Sequence, residues 1–123
     1  MKIFAFSLSI MTSVMLIIGF LLIPITTIQN IFSQEDSVVI VPRAADPNNG
    51  KSFVPPQMSL SEGSTVFWTN DDSIEHTVTS DEGLFDSGPI SPRSTFDNTF
   101  DSTGEFGYHC SIHPFMTGVV TVN

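Results

Sequence analysis

The chain has 123 residues, 41% hydrophobic and 14% charged, with four Lys plus Arg against thirteen Asp plus Glu and a net charge of -9. That length allows one modest domain and excludes a doubly wound sheet with a second domain. So few cations also exclude nucleic acid as the main partner, because no cationic surface exists to replace phosphate counterions.

In chain order the first element is apolar. Lys2 precedes a run from Ile3 to Ile25 without a charged residue, with Gly19 and Pro24 as breakers. A positive end before an apolar stretch is the pattern of a secretory signal, yet the run is long enough to span a bilayer as a helix. Ser33 supplies one small residue for a cleavage site, while Ile31 occupies the other position that a signal peptidase reads. Residues 1–33 are therefore expected to be either a cleaved signal peptide or a retained membrane anchor through residues 3–25, with a short linker. Either puts the folded part outside the cytoplasm, in a periplasmic or cell-surface setting. There the single cysteine, Cys110, has no internal disulfide partner and is either paired between chains, exposed to oxidation or held by something.

Residues 34–123 show no helical periodicity. Val38–Val41 reads as a first strand, ended by Pro42. Phe53–Leu60 is extended but interrupted by Pro55 and Pro56, which suits an edge. Thr65–Thr69 follows, ended by Asn70-Asp71-Asp72, and then Ile74, His76 and Val78 alternate, placing His76 on an apolar face. Residues 81–94 form a loop with Leu84, Phe85 and Ile90 as anchors tucked inward. Phe96, Asn98 and Phe100, then Phe106, Tyr108 and Cys110, alternate in two further strands, and Thr117–Val122 closes the chain. Short β-branched and aromatic runs between turn residues predict an all-β sandwich or barrel, with Trp68 and the phenylalanines in its core.

The stretch Tyr108-His109-Cys110-Ser111-Ile112-His113-Pro114-Phe115-Met116 sets a thiol, an imidazole and a thioether three residues apart on one loop between strands. One more ligand must come from elsewhere, and His76 is the candidate. Two imidazoles plus a thiolate with a weak thioether form the trigonal set of electron-transfer copper, whereas zinc would prefer a fourth strong donor. The expected metal residues are thus His76, Cys110, His113 and Met116. By alternation His109 points away from Cys110 and belongs to the surface. Pro114 donates no N–H and stiffens the loop. Asp71, Asp72, Glu75, Asp81, Glu82 and Asp86 crowd into two loops and read as solvated surface, with steering of a basic partner as the functional alternative. Catalysis is not expected: the three histidines cannot furnish a second copper site, and Cys110 and His113 lie too close on one loop for a Cys–His hydrolase.

His76 followed by Cys110-x2-His113-x2-Met116 at the C-terminal end of a β-domain resembles the cupredoxins, the small blue copper proteins. Within them the string Tyr-His-Cys-x-x-His-Pro-Phe-Met is most similar to the amicyanins, while plastocyanins share the architecture with a longer His-to-Met interval. The resemblance covers about residues 37–122, including Gly63-x-Thr65-Val66-x-Trp68 and Gly118-x-Val120-x-Val122. It implies a Greek-key β-sandwich and one type 1 copper ion, with Met116 as its axial ligand. It also implies a monomer that carries single electrons between redox protein partners docking near His113 and Phe115. The alternative with the same ligands is extracytoplasmic copper trafficking or storage. Two departures stand out. Thr77 replaces the Asn that follows the first His in amicyanin and plastocyanin, so its N–H is expected to reach the Cys110 sulfur while the fixing by an Asn side chain is lost. Glu75 replaces a Pro and sets a carboxylate beside the ligand loops. Tyr108 is expected to resemble a tyrosine corner.

Overall fold

Period-two alternation decides the elements of residues 36–123, the part that the computed structural model describes; the signal or anchor expected within residues 1–33 lies outside the described residues. Eight strands follow in order: β1 Asp36–Ile40, β2 Phe53–Val54, β3 Gln57–Leu60, β4 Ser64–Asn70, β5 Thr79–Ser80, β6 Thr95–Phe100, β7 Gly104–His109 and β8 Thr117–Val122. No helix occurs among the described residues, so the all-β expectation holds there.

The strands form two four-stranded sheets, ordered β2-β1-β4-β6 and β3-β8-β7-β5. In β4, Val66, Trp68 and Asn70 point inward, while Thr65, Phe67 and Thr69 point the other way. The antiparallel register of β4 with β6 sets Thr65 opposite Thr99 and Thr69 opposite Thr95. Their hydroxyls pair at 2.7 and 3.1 Å, a cross-strand match on the polar side of the sheet. Val38, Ile40, Trp68 and Phe100 of one sheet pack with Leu60, Tyr108, Val120 and Val122 of the other in a single core. Trp68 is its centre, 5.5 Å from Tyr108 edge-on and 5.8 Å from Phe96.

The interrupted stretch 53–60 lies at edges, as its prolines suggest: the Pro55-Pro56 step, which lacks ladder N–H groups, passes the chain from the edge of the first sheet to the edge of the second. Two expectations are corrected here. Residues 74–78 are not a strand. His76 makes only an isolated bridge to Ile90, so alternation fails, and Ile74 is 43% exposed while His76 and Val78 are fully buried. Of the loop anchors, Ile90 is buried and Phe85 packs on the core, but Leu84 is exposed.

Candidate metal centre

The strand register builds the downstream half. β7 and β8 pair antiparallel with His109 opposite Thr117, so residues 110–116 form the loop of a hairpin, with Cys110 and Met116 facing each other at its base. The Cys110 N–H donates to the Met116 carbonyl at 3.1 Å, and the Met116 N–H donates to the His113 carbonyl at 2.9 Å. These two bonds close the loop and turn His113 back over its base. Pro114 stands inside that turn, where no donor is missed. Cys110 and Met116 are fully buried, and His113 is half-buried.

His76 enters from the chain between β4 and β5. Its N–H and the Ile90 N–H exchange bonds with the opposite carbonyls at 3.3 and 2.7 Å, which is the bridge that pins this segment. The His76 Nδ1 lies 3.8 Å from the Cys110 Sγ, and the His113 Nδ1 lies 3.8 Å from the same sulfur. All three donor atoms fall within 4.8 Å of one another. With metal–sulfur and metal–nitrogen bonds of about 2.3 and 2.0 Å, a trigonal angle separates the two donors by about 3.7 Å. Both sulfur–nitrogen separations therefore fit an ion shared at the centre, and thiolate with imidazole is a donor set that suits copper.

The Thr77 N–H donates to the Cys110 Sγ at 3.3 Å, as the sequence implied. The threonine side chain itself, which sequence reading gave no role, fixes this position. The Thr77 Oγ1 accepts the Ser111 N–H at 2.7 Å and pairs with the hydroxyls of Ser111 at 3.0 Å and Thr79 at 2.9 Å. A hydroxyl thus joins the two ligand segments at the position where amicyanin and plastocyanin have an amide.

Asp72 is also corrected. It is buried rather than solvated, and its Oδ2 lies 2.9 Å from the His76 Nε2. Burial raises its pKa, but hydrogen bonds from His76 and from the N–H groups of Ser73 and Arg43 outweigh this, and the carboxyl sits below its ordinary value. Sequence reading missed this role because three neighbouring acidic residues, Asp71, Asp72 and Glu75, look alike until burial separates them. The other two are exposed.

His109 falls on the outer side of β7, as alternation predicted, with its Nδ1 2.6 Å from the Asp81 Oδ1. Tyr108 makes no tyrosine corner among the described residues. Its ring lies against Gly118, where any Cβ would collide with the phenol, and burial pushes its pKa up to about 12. The buried Trp68 ring packs edge-on beside it. Three apolar side chains of the two ligand segments are exposed, Ile74, Ile112 and Phe115. The Phe115 ring lies 6.3 Å from that of the half-buried His113. Sequence reading singled out Phe115 but not the two isoleucines, since exposure of a loop residue leaves no trace in periodicity.

Residues 42–123 match the profile of a family described as copper binding proteins, plastocyanin/azurin family. Among curated proteins, amicyanin of Paracoccus versutus is 29% identical over 75 residues, covering 57% of this chain and 57% of that protein. Amicyanin-alpha of Methylorubrum extorquens is 32% identical over 80 residues, covering 57% of this chain and 63% of that one. The chain thus spans less than two thirds of the length of these relatives. Among solved structures, a novel purple cupredoxin from Nitrosopumilus maritimus superposes with a TM-score of 0.68 at 33% identity, covering 72% of this chain and all of that one.

Proposed function

Since the chain belongs to the plastocyanin/azurin family of copper-binding proteins, we propose that it is an exported type 1 copper protein that carries single electrons between redox proteins. In this reading His76, Cys110, His113 and Met116 would hold the copper ion. The observation that carries it is the pair of 3.8 Å separations from one buried sulfur to two imidazole nitrogens. When bound, copper supplies the one-electron couple. The residues supply a site that suits both oxidation states, with soft sulfur for Cu(I) and imidazole for Cu(II).

The protein keeps that site from rearranging. The Thr77 N–H stabilises negative charge on the Cys110 sulfur, the Thr77–Ser111 bonds hold the two ligand segments together, and burial of Cys110 and His76 excludes water. His113 is the one ligand of the set that reaches toward solvent, and the exposed Phe115 ring 6.3 Å from it suits brief docking of a partner there. The same burial favours a carrier over copper trafficking or storage, which needs ligands that exchange. An enzymatic role is disfavoured because His109, the remaining histidine, is engaged with Asp81 on the outer side of β7. Residues 1–33 serve in this reading as the export signal or membrane tether, and residues 34–123 as the copper domain.

The test is the visible spectrum of the full chain loaded with Cu(II). We expect an intense sulfur-to-copper charge-transfer band that bleaches reversibly on one-electron reduction and is absent in Cys110→Ser. A wild-type protein that binds Cu(II) without colour would overturn the reading.

A further inference from the structure

We propose that the groove beside Phe115 receives a second copy of this chain, which seats its exposed Leu84 there and sets its Glu82 against Lys51. The groove, of about 440 Å³, is lined by Lys51, Phe53, Val54, Pro56, Phe115 and Thr117, with no acidic residue among its lining. That volume is in the range of sites that hold a small ligand or a few side chains. Phe53 is buried, its ring edge-on to that of Tyr108 at 4.9 Å, whereas Val54 and Phe115 are exposed. The Lys51 carbonyl accepts the Asn49 Nδ2 at 3.0 Å, but its ammonium enters no ion pair among the described residues. An apolar groove with one unpaired cation asks for an apolar side chain close to a carboxylate.

The loop after β5 offers that combination. Leu84 is 62% exposed, more than any other large apolar side chain among the described residues. Of the acidic residues beside it, Asp81 is engaged with the His109 Nδ1 at 2.6 Å. Asp86 accepts the Thr79 hydroxyl at 3.2 Å and the Gly88 N–H at 2.9 Å. Glu82 alone has no side-chain partner among the described residues. The tip is also firmly built. The Ser80 N–H donates to the Phe85 carbonyl at 2.8 Å and the Gly83 N–H to the Ser80 carbonyl at 3.2 Å, with Gly83 at a φ of 75°. The Phe85 ring packs 5.6 Å from that of Phe100. A braced tip loses little conformational freedom on docking.

The two patches lie apart on one copy, because β3 and β5 are the opposite edges of the second sheet. Pro56 leads into β3, and the Leu84 loop follows β5. The contact is therefore heterologous, head to tail, and extends into rows rather than closing on a pair. Two copies of net charge -9 repel at long range, so the contact is weak and forms where salt screens that repulsion. Since the Phe115 ring stands 6.3 Å from that of His113, the neighbouring copy comes to lie beside the imidazole that reaches toward solvent.

The experiment uses the full chain without metal, labelled with nitrogen-15, at about 0.15 M salt; its outcome does not depend on the copper reading. As concentration rises, the amide signals of Lys51, Val54 and Thr117 should shift along one isotherm with those of Glu82, Gly83 and Leu84. Leu84→Ser, Lys51→Glu and Glu82→Lys alter exposed side chains and keep the fold. Leu84→Ser should weaken association about tenfold, the effect of one leucine left in water. Each charge variant alone should lose association, and an equimolar mixture of the two should regain it, because the new loop cation then meets the new groove anion. Signals that ignore concentration overturn the proposal, as do shifts confined to one of the two sets. Association that none of the substitutions changes, or a mixture that binds no better than its components, overturns it as well.

Discussion

His76 and His113 present the same nitrogen to the same sulfur at the same distance, 3.8 Å, yet the two halves of the site hold them in opposite ways. The upstream half is a segment without strand pairing beyond one bridge, and it is braced by buried polar side chains: Asn70, Asp72 and Thr77. The downstream half needs no such side chains. Its loop is closed by two backbone bonds and by the register of β7 with β8. One imidazole is sealed from solvent and bonded on its far nitrogen, while the other is half-buried beside the Phe115 ring. The polar brace sits in the half whose imidazole is buried, and access to solvent sits in the other.

This contrast can be broken from the upstream side first. Asn70→Ala removes the acceptor of the Asp72 N–H and the donor to the Ile74 carbonyl, whereas the Ile90 carbonyl keeps the His76 N–H. One buried and one part-buried group left unpaired should lower stability by about 1–3 kcal/mol in urea titration, with loss of copper affinity in the same variant. A cost below about 0.5 kcal/mol, the range of ordinary surface changes, would mean that the polar brace is not what holds this half.

Thr77→Val tests the link between the halves. Valine keeps the shape and the backbone N–H to the sulfur but leaves the Ser111 N–H without its acceptor. The expected loss is about 1–2 kcal/mol, accompanied by a shifted charge-transfer band, while Thr77→Ser restores both. A band unmoved by Thr77→Val would confine the hydroxyl to stability.

The smallest effect on stability belongs to the exposed Phe115 ring. Phe115→Ser alters a side chain 48% exposed, so the thermal unfolding midpoint should correspond to a change within about 0.5 kcal/mol. Electron self-exchange, which needs two copies to meet at this face, should nevertheless slow. An unchanged exchange rate would move the docking face elsewhere.

Much of the fold was legible because alternation is local. Val66, Trp68 and Asn70 of β4, and Gly118, Val120 and Val122 of β8, follow period two and point as that period requires. Residues 74–78 were misread for the same reason. Their apolar–polar alternation suggested a strand, but no neighbouring strand pairs with them, and their path is set by bonds to Ile90, Ser87 and Cys110 instead.

The sequence alone determined the donor chemistry. One thiol, two imidazoles and a thioether in that spacing limit the ion and its use, because ligand softness belongs to the side chains wherever they sit. Tertiary structure alone decided which nitrogen of His76 faces the sulfur, that Asp72 rather than Asp71 or Glu75 backs it, and that a threonine hydroxyl joins the two segments. Those outcomes depend on which polar groups lose water together, and burial is a property of the packed sheets, not of residue order.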